Sequence, residues 1–528
     1  MEDISRGVRS FTVGTAISRV MGLAREMVFA HLFGASQGPA ADAFNVAFRI
    51  PNMLRDLFAE TSLSAAFIPV LTAERAKSKE AQNRLASNIF NVLFLVTGAI
   101  SLAGFFASPH LAKWIAFGFG KVPGKIDLTA QLTAILFPFL LFISLAAWAM
   151  SYLNTEREFF VPSVAPALFN FFSILFPVLT FGWYVAHGKE PIFGMAIGVL
   201  VGGLMQFLVQ MPLVFRKGFR YRFIVSFRDP EFRRVMALFI PVAIGLAGPR
   251  INVLVNTILI TPLKQGSVSW LNYAYRLMQL PLGLFGVAVG TVTLQSLSRH
   301  VVANDTAAVR TRLFDSMKMA LFLTVPTSVL IAFLSRPLTR VIYQRGHFRP
   351  EDTVPTALAV ILYTLGIPFI ACIRNVAAVF YAYKDARWPM AASLASVCLT
   401  ITLNVSLVHV LGFFIFPLST SIAESLNLTL LLRALPKKVG RVDMRPIVRY
   451  GLTLILAALC GGAAAWAGNA AFVRALGTRF LPTLVSVVVS GGLGLLVFYG
   501  VSRLLGIAET RDFVRRFLRR GADPEGRP

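Results

Sequence analysis

TAILFPFLLF at 133–142 and LYTLGIPFIA at 362–371 are two versions of one segment, each an apolar run interrupted by a proline. Pro138 and Pro368 stand 230 residues apart. The correspondence continues outward. ASPHLAKWIAFGF at 107–119 pairs with LSRPLTRVIYQRGHF at 334–348, which puts Pro109 and Pro337 228 residues apart. Pro162 and Pro389, near the starts of the next apolar segments, are 227 apart. A lone proline merely kinks a membrane helix. A shared register indicates duplication, and a direct six-helix repeat keeps both copies in one orientation across the membrane, as in lobes that rock around a central site.

The repeated segments read as membrane spans. Apolar residues make up 56% of the 528, charged residues only 14%, and the mean hydropathy is +0.68. A soluble domain carries roughly 25% charged residues. The apolar runs are near or above the roughly 20 residues needed to cross the hydrocarbon core, and they lack the short alternation of a barrel. Spans are expected near 10–34, 42–70, 85–108, 128–153, 162–186, 192–214, 233–261, 266–298, 311–335, 354–380, 387–409, 413–435, 445–470 and 478–504. The expected fold is thus an all-α polytopic membrane protein of fourteen transmembrane helices. A six-helix lobe over 1–215, a basic linker at 216–232 and a second six-helix lobe over 233–436 precede two additional helices within 437–504 and a basic tail at 505–528. The second span, interrupted by Arg49, Pro51, Arg55, Asp56 and Glu60, reads as broken or water-facing. No hydrophilic stretch is long enough for a soluble catalytic domain, and MEDISRGVRS does not lead into a cleavable signal.

Lysine and arginine counts assign the sides. Arg75, Lys77, Lys79 and Arg84 follow span 2; Arg216, Lys217, Arg220, Arg222, Arg228, Arg233 and Arg234 follow span 6. Arg433, Lys437, Lys438, Arg441, Arg445 and Arg449 follow span 12, and the tail adds Arg511, Arg515, Arg516, Arg519 and Arg520. Alternating spans place all of these on one side, so both termini are expected in the cytoplasm of a bacterial inner-membrane protein. Arg336, Arg340, Arg345 and Arg349 fall on the far side, partly offset by Glu351 and Asp352. The net charge of +26 therefore reads as topology and contact with anionic lipids, not as nucleic-acid binding. Cys372, Cys398 and Cys460 lie far apart in apolar segments and read as buried soft hydrophobes.

Four arginines sit where lipid-facing helices should not carry them: Arg19, Arg25, Arg55 and Arg276. Each costs about 2.5–3.5 kcal/mol at the centre of a membrane helix, so they are expected to face a wet cationic cavity suited to an anionic substrate. Arg19 and Arg25 lie in SRVMGLARE at 18–26, with Glu26 positioned to hold a guanidinium and Gly22 permitting close helix approach. ADAFNVAFRIPNMLRDLFAETSLSAAFIPVL at 41–71 adds Asp42, either a helix cap or a gate ion pair, together with Arg49, Asp56 and Glu60. Asp56 and Glu60 share a helix face, a like-charge pairing that calls for an arginine, water or proton. LNYAYRLMQLPLGLFGVAVGTVTLQSLSRH at 271–300 aligns Asn272, Arg276 and Gln279 on one face, with Gly283, Gly286 and Gly290 forming a thin stripe. Asn252, Asn256 and Arg250 add donors from span 7, and Arg374 and Glu424 are further cavity candidates. Guanidinium forks suit diphosphate oxygens. No HExxH, GxSxG, P-loop or metal-ligand spacing appears, so the chain reads as a non-enzyme without cofactor or metal, driven by a membrane potential or an ion gradient.

SRVMGLARE, DAFNVAFRIPNMLRDLFAE and YRLMQLPLGLFGVAVGT resemble the signature segments of the MurJ family, bacterial lipid II flippases of the multidrug/oligosaccharidyl-lipid/polysaccharide exporter superfamily. The resemblance implies export of an undecaprenyl-linked peptidoglycan precursor by alternating access, with helices 13 and 14 forming a groove for the lipid tail. It assigns the family's cavity arginines to Arg19, Arg25, Arg55 and Arg276, and its acidic positions to Glu26, Asp42 and Glu60. Cell-wall synthesis proteins are candidate partners. Tyr275 stands where the family commonly has an aspartate, and KDARWP at 384–389 and Gln295 also depart from its pattern. Rival readings are an exporter of another lipid-linked anionic saccharide, a multidrug antiporter and a non-transporting scaffold; a drug antiporter should centre on carboxylates, whereas this chain centres on arginines.

Overall fold

The computed structural model describes residues 2–57, 62–282, 287–440 and 442–510, and every regular element among them is helical. The chain divides into two compact units. The first comprises Met1–Ser269 with Gly346–Phe348, the second Trp270–Arg345 with Arg349–Pro528.

The proline repeat marks real helix breaks. Lys125–Leu136 gives way to Phe139–Thr155 with Pro138 at the junction, and Pro350–Thr364 gives way to Ile367–Ala382 with Pro368 in the first turn. Proline lacks the N–H that would continue the ladder and its ring crowds the preceding turn. The next helices, Phe160–Ala186 and Arg387–Leu411, each carry proline as their third residue, where no intrahelical donor is lost. The expected second span is likewise broken, into Ala40–Ala47, Arg49–Arg55 and, beyond the undescribed 58–61, Ser62–Lys77.

Among the described residues nine helical stretches are long and apolar enough to cross a membrane, and Pro230–Ile260 adds a tenth as a bent pair. One of the nine, Arg387–Val439, contains the helices Arg387–Leu411 and Ile415–Ala434. The expected spans missing from this set are the first, second and eighth. These carry the ionisable residues singled out above; the second and eighth are made of helices of 16 residues or fewer among the described residues, the eighth on either side of the undescribed 283–286.

In the first unit, Glu2–Phe33 lies along Phe160–Ala186. A Cβ added at Gly14 would come within 2.0 Å of Ser163 Oγ, so the contact requires glycine. Asn170 Nδ2 donates to the Ser18 carbonyl at 3.2 Å. Trp148, fully buried, donates Nε1 to the Ala86 carbonyl at 2.9 Å and packs edge-on against Phe90 and Phe219. In the second unit, Arg445–Leu476 packs on Thr306–Phe333 and pairs with Phe480–Leu504. That last pair approaches so closely that a Cβ at Gly461 would sit 2.6 Å from the Gly494 carbonyl, the small-residue contact by which membrane helices associate.

The cysteine expectation holds only for Cys372. Cys398 and Cys460 are exposed on their helices, which fits small soft side chains at a lipid-facing surface better than a protein core.

Candidate substrate-binding site

The arginines of the first unit are not bare charges. Arg25 Nη2 donates to Glu26 Oε1 at 2.7 Å, with only 11% and 15% of the two side chains exposed. The Arg25 guanidinium also lies 5.3 Å from the Phe169 ring centroid, on the helix that Glu2–Phe33 packs against. An aromatic face and a carboxylate together fix the plane of the fork, leaving an oriented, partly neutralised cation. Arg19, six residues earlier, is exposed. A Cβ at Gly22 between them would meet Asn170 at 3.6 Å, ordinary packing distance.

Asp56 is the second organising carboxylate. Its Oδ1 accepts from Arg55 Nη2 at 2.8 Å and Nε at 3.2 Å, while its Oδ2 faces Arg250 Nη1 at 2.7 Å. Asp56 is buried and Arg250 is 39% exposed. One carboxylate thus bridges two guanidiniums, the arrangement that the crowded charge of this segment called for. The cluster retains a net positive charge. Asn252, two residues beyond Arg250, has a buried Oδ1 without a hydrogen-bond partner. Arg49 is half-buried in the same broken segment. Glu60 lies outside the described residues, as do Gly283, Gly286, Arg441 and the tail arginines.

Asp42 has a different setting. It is 1% exposed and accepts four hydrogen bonds: Lys125 Nζ at 3.1 Å, the backbone N–H groups of Gly266 at 2.8 Å and Ser269 at 3.0 Å, and Ser269 Oγ at 2.7 Å. It caps the first turn of Ser267–Pro281, not that of its own helix, and it forms a buried ion pair with Lys125. The Lys125 ammonium also lies 4.0 Å from the Phe119 ring centroid.

The helix Ser267–Pro281, which from Trp270 onward belongs to the second unit, is two-faced. Tyr275, Arg276 and Gln279 are exposed and Asn272 is half-buried, whereas Tyr273, Ala274, Leu277 and Met278 are buried. Spacing of three and four residues gathers the polar set on one face, as expected. Tyr275 has a defined contact: its hydroxyl accepts from Gln279 Nε2 at 2.6 Å, and its ring stands edge-on to Tyr363. Arg374 is half-buried in Ile367–Ala382. Glu424 is half-buried and accepts from Asn427 at 3.4 Å, on its own helix.

Sequence reasoning missed Lys125, Ser269 and Phe169. Lys125 opens its helix beside Gly124 and reads as an ordinary helix-end cation; only the fold brings it to Asp42. The arrangement offers oriented guanidiniums with hydroxyl and amide donors. Among the described residues no group of three or more His, Cys, Asp or Glu is placed to hold a metal.

Comparison with known proteins places the chain in a family. A solved structure titled lipid II flippase MurJ, inward closed conformation, superposes with a TM-score of 0.77 at 28% identity, covering 96% of this chain and 99% of that one. An inward-facing multidrug resistance MATE family transporter of the MOP superfamily, 13% identical, matches with a TM-score of 0.67 over 82% of this chain and 98% of its own, a likeness of fold alone. A probable lipid II flippase MurJ of Vibrio cholerae is 35% identical over 433 residues, 80% of this chain and 81% of that protein. The family profile described as lipid II flippase MurJ matches residues 29–487, which include Arg55, Asp56 and Arg276; the chain belongs to the lipid II flippase MurJ family.

Proposed function

We propose that this protein moves lipid II from the inner to the outer leaflet of the bacterial cytoplasmic membrane by alternating access. The observation that carries the reading is the set of guanidiniums held in fixed orientation on helices: Arg25 by Glu26 and Phe169, and Arg55 with Arg250 by Asp56. Such forks suit a diphosphate, which presents several oxygens and needs no chemistry to be carried. In this reading Arg19, Arg25, Arg55 and Arg276 bind the diphosphate in a central cavity. Glu26, Asp42, Arg49, Asp56, Glu60, Asn252, Asn272 and Gln279 support or gate it, and Arg250, Arg374 and Glu424 contribute further.

The same proposal gives the chain fourteen membrane helices, as a lobe over 1–215, a linker at 216–232, a lobe over 233–436 and a helix pair within 437–504 along which the polyprenyl tail runs. Both termini are cytoplasmic, and the cycle draws on the membrane potential or an ion gradient. A cationic-drug antiporter would need its carboxylates available. Here Glu26, Asp42 and Asp56 are each engaged by an arginine or a lysine.

The test is leaflet accessibility of labelled lipid II in cells acutely depleted of this protein, with wild type, Arg25→Ala or Arg276→Ala supplied in trans. Inner-leaflet accumulation rescued by wild type alone is expected, with both variants present in the membrane at wild-type level. Normal outward movement in depleted cells would sink the flippase reading, and rescue by both variants would sink the proposed arginine roles.

A further inference from the structure

The segment FRYRFIVSFR at 219–228, which follows the helix Met211–Arg216, is attached to Lys79–Ile115 in an unusual way. It contains no helix from 219 to 226. Backbone groups of Arg222, Ile224 and Ser226, and of Gly218 just before them, are taken up by side chains of that long helix. Asn83 Nδ2 donates to the Gly218 carbonyl at 2.9 Å, and the Arg222 N–H donates to Ser87 Oγ at 3.1 Å. Asn91 Nδ2 donates to the carbonyls of Arg222 at 3.1 Å and Ile224 at 2.9 Å. Asn88 grips Ser226 from both sides, Nδ2 to its carbonyl at 2.9 Å and Oδ1 from its N–H at 2.8 Å. Tyr221 adds its hydroxyl to Asn91 Oδ1 at 2.9 Å.

Asn91 fixes the depth of this contact. It is the last polar side chain before VLFLVTGAISLAGFF at 92–106, a stretch without an ionisable residue whose Phe94, Leu95, Leu102 and Phe106 are exposed. The two carbonyls that Asn91 binds flank residue 223, so Phe223 stands beside the first apolar turn of a membrane-spanning helix. It is 81% exposed. Tyr221, Val225 and Phe227 are exposed too, on alternate residues with Phe223, while Ile224 and Ser226 are half-buried. Arg220 and Arg228 are exposed at the two ends, and Arg222 pairs with Glu80.

A loop in open water has no need of this hydrogen-bond ladder, because solvent satisfies its backbone. Non-helical backbone at the edge of the hydrocarbon must be satisfied by protein. Aromatic rings interleaved with arginines are the composition of the membrane–water interface. We propose that residues 219–228 form an interfacial anchor, seating Phe223 among the acyl chains of the leaflet on the basic side and setting Arg220 and Arg228 at the level of the lipid phosphates. The occupant of the aromatic edge is the bilayer itself. The anchor depends on the chain spanning a membrane and not on what it transports.

The test is spin labelling in the full chain with Cys372→Ala, Cys398→Ser and Cys460→Ser, reconstituted into phosphatidylethanolamine–phosphatidylglycerol vesicles. A nitroxide on Phe223→Cys should collide more with oxygen, which partitions into lipid, than with a water-soluble nickel chelate. Val225→Cys, a second site, should read the same way, and Arg220→Cys and Arg228→Cys the reverse. A nickel preference at 223 and 225 would overturn the anchor by placing the segment in water. Exclusion of both reagents there would overturn it by showing that another protein surface covers the segment.

Discussion

Asp42 has four donors around one carboxylate, three of them on Gly266 and Ser269 and the fourth on Lys125. Removing one partner of a buried pair usually costs about 3–5 kcal/mol, because a charge is left uncompensated. Here Asp42 keeps three hydrogen bonds when Lys125 is lost, so Lys125→Met should destabilise by about 2–4 kcal/mol. Asp42→Asn in the same chain should recover part of the loss, since the orphaned charge goes with it. Thermal unfolding of the purified protein in detergent checks this; additive losses in the double variant would show that the two side chains are not coupled. The pair also marks the limit of reading residues from sequence. Arg25 and Glu26 are neighbours, and their ion pair was legible from adjacency. Lys125 lies 83 residues from Asp42 and Ser269 lies 227, so only the fold joins them.

Helices at the basic end of the first unit are tied by one acid. Glu156, just past Phe139–Thr155, accepts from Lys79 Nζ at 2.7 Å, Gln82 Nε2 at 2.8 Å and Arg75 Nε at 3.2 Å, drawing in residues of Ser62–Lys77 and Lys79–Ile115. Burial pushes its pKa up. The hydrogen bonds from Lys79 and Gln82, with the charges of Lys79 and Arg75, outweigh burial and leave the carboxyl below its ordinary value. A lowered acid stabilises the fold above the unfolded-state pKa of about 4.3, and that contribution is lost as pH falls through the folded-state value. Glu156→Gln should therefore cost about 1–2 kcal/mol near neutrality and progressively less as pH falls below that range. Thermal midpoints measured against pH test it; a gap that stays constant into acid would assign the loss to packing. Counting cations located this end of the molecule, but counting cannot reveal which acid gathers them. The helix breaks at Pro138 and Pro368 were legible because proline acts on the chain locally, whatever packs around it.

At the scale of the whole molecule, the repeat and the misplaced charges gave complementary information. Apolar runs located helices long enough to cross a membrane, while the charged residues within apolar segments pointed to the oriented guanidiniums and to the polar face of Ser267–Pro281. The setting of Asp42 was not legible, because its partners Lys125, Gly266 and Ser269 lie far along the chain. Arg25 and Arg276 belong to different units, which makes their joint behaviour the sharpest test of the proposed transport. Lysine keeps the charge but loses the planar fork. If a diphosphate is gripped bidentately, Arg25→Lys and Arg276→Lys should each slow flipping about tenfold, the equivalent of 1.4 kcal/mol in the rate-limiting barrier. If both side chains act on that same diphosphate, the double variant should depart from the product of the single effects, as coupled residues do. Initial rates of labelled lipid II movement in proteoliposomes supply all four numbers. Wild-type rates in both single variants would mean that point charges suffice, and a strictly multiplicative double variant would mean that the two units meet the substrate in separate steps.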